Sequence, residues 1–303
     1  MLSSAEPPTD SAWLQWQELF QPSAGRWYAV LDAARDPEVL RVLRRAGQRS
    51  QSLYAGPRAE VLARGAPYLV AVPRGSHFRR VLWDHAWGES WGIFVASNAG
   101  FTAVRRHLRR SLRAVLPDGR EALFRFYDPR VLLVYLPSCL NDERLRFHGP
   151  ITRFVCEHED DAQALVFARP GEAGDEPRGE RGPLRLSGAQ WAAFQESAER
   201  GYVRQQRERV RRDYPDVVFG MSPDDVDRMI RGLIDEARGF GLTRRDTVGR
   251  FIAYRCELGR RFYEEPVWSR VAAILRDGAM SEREKVDRVD GVYRGGPMLP
   301  DWR

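Results

Sequence analysis

Apolar residues in the first half of the chain fall into short blocks that alternate between two periods. Trp27–Asp32, Tyr68–Val72, Trp91–Ser97, Ala122–Tyr127 and Ala164–Ala168 are runs of aliphatic, β-branched and aromatic residues, the composition of strands. Between them, Pro37–Ala46, Ser76–Ala86, Phe101–Ala114 and Pro129–Leu136 repeat apolar residues at helix spacing. This alternation predicts an α/β lobe over residues 1–168, a mixed sheet with helices packed on it. Strand order is not readable from the pattern.

The pattern then stops. Residues 169–183 read RPGEAGDEPRGERGP, a stretch with nothing to pack and recurrent Pro and Gly, which predicts a linker. Residues 184–303 are patterned for helices alone. Ser187-Gly188-Ala189-Gln190 has capping-box spacing, followed by Trp191, Phe194, Ala198 and Tyr202 on one stripe. Ser222-Pro223 opens a second helix carrying Val226, Met229, Ile230, Leu233, Ile234 and Ala237, with Gly239 and Gly241 to end it. Thr243 with Asp246 starts a third, and Pro266 and then Ser281 with Glu284 start two shorter ones. Five amphipathic helices predict an all-α helical lobe after the α/β one. No internal repeat is visible.

One local segment is dense in signals. Asp118-Gly119 suits a turn, and Leu123 and Phe126 against Phe124 and Tyr127 read as a strand buried on both faces. Asp128 is placed to cap a helix that begins with Pro129, while Arg125 and Arg130 bracket the acid, and Arg125 or Arg130 is expected to pair with an acid nearby. That set serves architecture rather than any recognisable chemistry. In Phe101–Ala114, Phe101, Val104, Leu108 and Leu112 face a core while Arg105, Arg106, Arg109, Arg110 and Arg113 cover the rest. Those arginines suit an acidic partner, but a solvated face with one or two paired to Asp128 or Glu121 is the favoured reading. His107 fits a hydrogen-bonded position at the core edge. Gly88 and Gly92 argue that a helix ends near Trp87, so that Trp83, Trp87 and Trp91 pack at a helix–strand corner instead of forming an aromatic stripe.

Composition narrows the function. The formal charge of +6 invites nucleic acid, but acids are interspersed almost everywhere and Lys285 is the only lysine among 48 basic residues. The excess is spread, not gathered into a groove. The apolar fraction and nine tryptophans argue for a folded chain. No apolar run approaches the ~20 residues that span a bilayer, and Met1–Asp10 has neither a basic start nor an apolar core. A cytoplasmic protein with no membrane partner is expected. Cys139, Cys156 and Cys256 fit reduced, buried thiols. The five histidines show no metal-ligand spacing, and no nucleophile elbow, phosphate loop or dinucleotide fingerprint occurs. Glu157, Glu159, Asp160 and Asp161 around His158 have the composition of a cation site, although an acidic run at a strand exit is more often a solvated turn. Neither a cofactor nor a catalytic or metal residue is expected.

The motifs carry a resemblance. Phe124-Arg125-Phe126-Tyr127-Asp128-Pro129-Arg130 after Pro117-Asp118-Gly119-Arg120 resembles the signature of the type VI secretion effector adaptor/chaperone family, long catalogued as a domain of unknown function. Trp27–Asp32, Trp87–Phe94 with Trp91, and Arg106-His107-Leu108-Arg109 fit the same family in the same order. Phe147-His148-Gly149-Pro150 is similar to its Phe-Phe-Gly-Pro, with His148 where a second Phe is usual. The resemblance implies a non-catalytic cytoplasmic adaptor that holds one cognate secreted effector, a toxin, and delivers it to the VgrG spike protein. In that family both lobes together grip the cargo, and the variable helical one supplies much of the specificity. A protein of another class, an Arg-rich nucleic-acid-binding or hydrolytic one, is the alternative.

Overall fold

The computed structural model describes residues 10–20, 25–57, 59–158, 163–171 and 182–295. In chain order the elements are α1 (Asp10–Glu18), β1 (Arg26–Asp32), α2 (Glu38–Ala46), β2 (Ser50–Ser52), β3 (Pro67–Ala71), α3 (Phe78–His85), β4 (Gly92–Ser97) and α4 (Phe101–Arg110). There follow β5 (Arg113–Val115), β6 (Glu121–Leu123), α5 (Pro129–Ser138), α6 (Asn141–His148), β7 (Ile151–Glu157), β8 (Ala164–Ala168) and β9 (Leu184–Arg185). The rest is helical: α7 (Gly188–Asp213), α8 (Pro223–Gly239), α9 (Arg245–Leu258), α10 (Ser269–Arg276) and α11 (Glu282–Gly295). The sheet-and-helix region followed by an all-helical one is the predicted fold class.

Six strands form one sheet in the order β2-β3-β1-β4-β7-β8, antiparallel at every pair. Both faces are covered, so β1 is buried from Trp27 to Asp32 and reads as an unbroken apolar run rather than an alternating one. Tyr28 and Val30 join a core with Ile93, Val95, Phe154 and residues of α4, α5 and α6. Trp27, Ala29 and Leu31 join the opposite core with Phe94, Trp16 and residues of α2 and α3. Gly92 stands where β4 crosses β1, because a Cβ there would run into the Val30 carbonyl. Trp83, Trp87 and Trp91 all belong to this second core, at the corner where α3 gives way to β4.

Several expected boundaries move. Phe101–Ala114 is not one helix: α4 stops at Arg110, and Arg113–Val115 is a strand that pairs with β6. The expected strand Ala122–Tyr127 lasts only to Leu123, after which Phe124 donates its N–H to the Leu112 carbonyl and Arg125–Asp128 turns. Helices α1 and α6 and strands β2, β5, β7 and β9 were not among the predicted elements. β7 is central, yet Thr152 and Arg153 interrupt its apolar run, and its register with β4 shifts at Ala96/Ser97.

The chain divides into two compact units, residues 1–195 and 196–303. The division predicted from the sequence is 1–168, 169–183 and 184–303, and residues 184–195 fall in the first compact unit. β9 pairs in parallel with β5, and Leu186, Trp191 and Phe194 pack in the first unit's core. Gln190 is the anchor: its Oε1 accepts the Ser187 N–H at 2.9 Å, and its Nε2 donates to Glu143 at 3.0 Å. The expected linker falls largely on residues 172–181, outside the described residues. In the second unit, α8 to α11 and the end of α7 close on a core that includes Val226, Ile230, Phe251, Ile252, Phe262 and Val271. Ser222 caps α8 through the Asp225 N–H at 3.2 Å. The start of α9 is capped from another helix: Glu282 accepts from the N–H groups of Thr243 and Arg244 and from both threonine hydroxyls, at 2.6–2.9 Å.

Candidate functional site

The motif residues of the first unit are spent mostly on locking distant segments together. Asp32, 2% exposed at the end of β1, accepts the Ala34 N–H at 3.0 Å and an ion pair from Arg125. Burial alone pulls the Arg125 pKa down, and the Asp32 carboxylate more than offsets it. Arg125 also lies 6.0 Å from the Tyr127 ring centroid. Tyr127 is fully buried, and burial first, then its hydrogen-bonded partner Tyr54 and the Asp32 charge, push its phenol up. Thus the first and the fourth motif close on each other across the sheet end.

The remaining motifs act similarly. Asp128 accepts the Arg130 N–H at 3.0 Å and both forks of the Arg130 guanidinium, at 2.9 and 2.6 Å, so it is the cap of α5 with Pro129 in the first turn. His107 on α4 meets the Phe147 carbonyl at 2.7 Å through Nε2. Burial lowers the His107 pKa, the Phe147 hydrogen bond opposes this, and Arg110 adds to it. Gly149 closes α6 with φ +50°, and a Cβ there would overlap the His107 ring, so this position needs glycine twice over. The Pro150 carbonyl accepts from Ser97 Oγ at 2.6 Å. Phe124 and Trp91 are buried core. Arg106 and Arg109, exposed on α4, pair with none of the described residues.

Two buried groups escaped sequence reasoning. Glu157, 3% exposed, accepts the N–H groups of Gly88 and Ser90 and so fixes the turn between α3 and β4. Burial raises its pKa, and those two amides counter the rise. The acidic run after it was visible, but not that its first member points inward; Glu159, Asp160 and Asp161 lie outside the described residues. Among the described residues no group of three potential ligands is placed to hold a metal. His148 is 1% exposed, contacts the Ile151 carbonyl through Nδ1 at 3.1 Å and stacks edge-on to Phe154. The three cysteines are free thiols, pushed up to about 12 for Cys139 and Cys156 and about 11 for Cys256 by burial.

With its motif residues turned inward, the unit leaves a cleft of about 880 Å³ between the loop after β2 and the α4–β5–β6 segment. Its apolar part is unusually bare: Val61 is 83%, Leu62 50% and Leu123 53% exposed. Arg109, Arg110 and Arg113 line the same cleft. Of these only Arg113 has an ion pair among the described residues, with Glu121 at 3.2 Å across two exposed side chains, which holds it weakly. Apolar anchors beside unpaired guanidinium groups favour an amphipathic, acidic protein segment. Of the arginine face expected on α4, Arg105 is turned to structure by donating to the Ser52 carbonyl at 2.8 Å.

Residues 27–146 match the family model described as Domain of unknown function (DUF4123). The matched span runs from the first strand motif through the capped helix to α6. No curated protein and no solved structure matches the chain. Among the described residues no helix is long and apolar enough to cross a membrane.

Proposed function

We propose that this chain is a cytoplasmic, non-catalytic adaptor that binds and stabilises one type VI secretion effector and loads it onto the VgrG spike. The observation that carries this reading is the bare apolar cleft with its arginine rim, lying within the span that matches the domain of unknown function. That domain's motifs resemble those of the adaptor family, and here they brace the fold around a surface suited to a protein segment. The cleft offers anchors in Val61, Leu62 and Leu123 and counter-charges in Arg109 and Arg110, so the cargo presents an amphipathic acidic segment. The helical unit supplies further selectivity in this reading.

Co-expression with its cognate effector should yield a one-to-one complex and raise the effector's level, because a ligand bound only to the folded form stabilises it by mass action. Deleting the gene should remove that toxin from the secreted fraction and spare other cargo. Val61→Asp with Leu62→Asp should weaken the complex at least tenfold while the free protein keeps its melting temperature. Unchanged effector abundance and secretion in the deletion strain would overturn the proposal. Turnover of a substrate by the purified chain, or nucleic-acid affinity falling steeply with salt, would replace it.

A further inference from the structure

A second cavity, of about 570 Å³, opens at the end of the large sheet where β1 begins and β3 finishes. Four arginines line it, Arg26, Arg49, Arg74 and Arg79, and among the described residues no acidic one does. None of the four makes an ion pair among the described residues. Arg26 donates to the Asn98 carbonyl at 3.0 Å, and Arg49 lies 4.4 Å over the Phe101 ring. Arg79 is the telling one. It is only 9% exposed, its Nε is buried with no acceptor among the described residues, and its guanidinium lies 4.9 Å from the Phe20 ring centroid. Burial, followed by the like charge of Arg74, lowers its pKa.

Burying a guanidinium without a counter-charge is costly, and a cation–π contact compensates only in part. The fold nonetheless holds Arg79 there and sets three further positive charges around it. A separate feature adds to the field: α4 begins at this cavity, and its N-cap, Gly100, has no side chain to accept the first-turn amides, which leaves the positive end of the helix open toward an anion. The rest of the lining is apolar, with Trp27, Tyr28, Val72 and Phe101. A bare phosphate would leave those walls unused, whereas a carboxylate on an apolar body fills both parts.

We infer that this cavity is an acceptor site for an acidic side chain flanked by aromatic or aliphatic residues in a protein partner, bound by the Arg79 fork with Arg49 and Arg74 beside it. A planar carboxylate matches the guanidinium geometry in a bidentate pair. The inference rests on the adaptor reading for the partner being a protein, and adds a second contact point, at the opposite end of β1 from the Asp32–Arg125 pair.

Calorimetric titration with the capped peptide acetyl-Trp-Glu-Leu-amide, its Gln counterpart and inorganic phosphate tests this on the full chain. The Glu peptide should bind at least tenfold tighter than the Gln peptide, and both Arg79→Met and the exposed Arg74→Gln should erase the difference. The melting temperature of Arg79→Met should hold or rise, since an uncompensated charge is removed; a fall would assign Arg79 to packing on Phe20. Equal affinity for the two peptides, or indifference to both substitutions, overturns the site. Phosphate binding tighter than the peptide makes it a small-anion site instead. Should Arg79→Met fail to fold, Arg74→Gln decides alone. These titrations read the cavity directly, so failure of effector capture by the wild-type chain would refute the adaptor reading while leaving their result intact.

Discussion

His148→Phe is the substitution with the clearest expected signature, because it exchanges a buried titratable ring for the residue usual in the resembled family. His148 is 1% exposed and its pKa is pushed down to about 4, first by burial and then by the positive charges of Arg169, His107 and Arg144, against the pull of the Ile151 carbonyl. A base whose folded pKa lies below its unfolded 6.5 is fully compatible with the native state above pH 6.5. As pH falls from there towards 4, the unfolded chain takes up a proton that the folded chain refuses, and stability is lost. The loss from this group amounts to about 2 kcal/mol at pH 5 and about 3 kcal/mol at pH 4. At neutral pH the Phe variant gives up the bond to the Ile151 carbonyl and leaves that acceptor unpaired, a cost of about 1–3 kcal/mol. The two stability curves should therefore converge, and then cross, as the solution is acidified. Urea unfolding at half-unit steps from pH 4 to 8, followed by tryptophan fluorescence, reads this well, since Trp13, Trp16, Trp27, Trp83, Trp87, Trp91 and Trp191 all lie in the first unit. Other titrating groups cancel in the difference between variant and wild type. Parallel curves over the whole range would show that the ring is not held neutral, and the reasoning from burial would fall.

Asp128→Ala should cost about 0.5–2 kcal/mol of stability, the usual size of a lost cap, whereas Asp128→Asn should keep most of it; loss of partner binding at unchanged stability would give Asp128 a contact role instead. Gly149→Ala should cost about 1–3 kcal/mol from the positive φ alone, and more through the His107 ring; a double-mutant cycle with His107→Ala should return part of that excess, and strict additivity would deny the contact. Glu282 is held down to about 2 by the Arg244 N–H, the Thr243 and Thr247 hydroxyls and the Thr243 N–H, against desolvation. Its contribution is present above pH 4.5 and fades towards pH 2, so Glu282→Gln should flatten the acid limb of the full chain's stability–pH curve, measured by far-UV circular dichroism.

What the sequence discloses and what it conceals follow from the range of the forces involved. Caps and helix stripes are local, so Ser187 with Gln190, Ser222 and Asp128 announce their helices within four residues. β1, β3 and β4 announce themselves because two packed faces demand continuous apolar runs, and β8, at the sheet edge, announces itself by an apolar run that is only partly buried. β7 is hidden by Thr152 and Arg153: the Thr152 hydroxyl is satisfied by the Ala96 carbonyl at 3.1 Å, a partner more than fifty positions away. The short strands β5 and β9 exist only through pairing, β5 with both β6 and β9 and β9 with β5, and no three-residue window contains that fact. Leu184–Gln195 looks like the opening of a helical lobe for the same reason, until β5 offers Leu184 and Arg185 an edge.

The site divides along the same line. Apart from the local Asp128–Arg130 cap, the strong motifs resolved into locks whose two halves are far apart in sequence: Asp32 with Arg125, His107 with Gly149, Gly88 and Ser90 with Glu157. Such residues are conspicuous because a buried charge or a close approach tolerates few substitutes. The surfaces available to a partner are made of ordinary residues instead, Val61, Leu62 and Leu123 around one cleft and scattered arginines around one cavity. Nothing in their local spacing sets them apart. An arginine in sequence is a solvated charge by default; Arg79 becomes a candidate contact only once its burial and its missing acceptor are known. In the proposed adaptor role, the residues that stand out in the sequence are those that keep the holder rigid. The residues that do the holding have to be found by asking which charges and apolar side chains the fold leaves uncompensated.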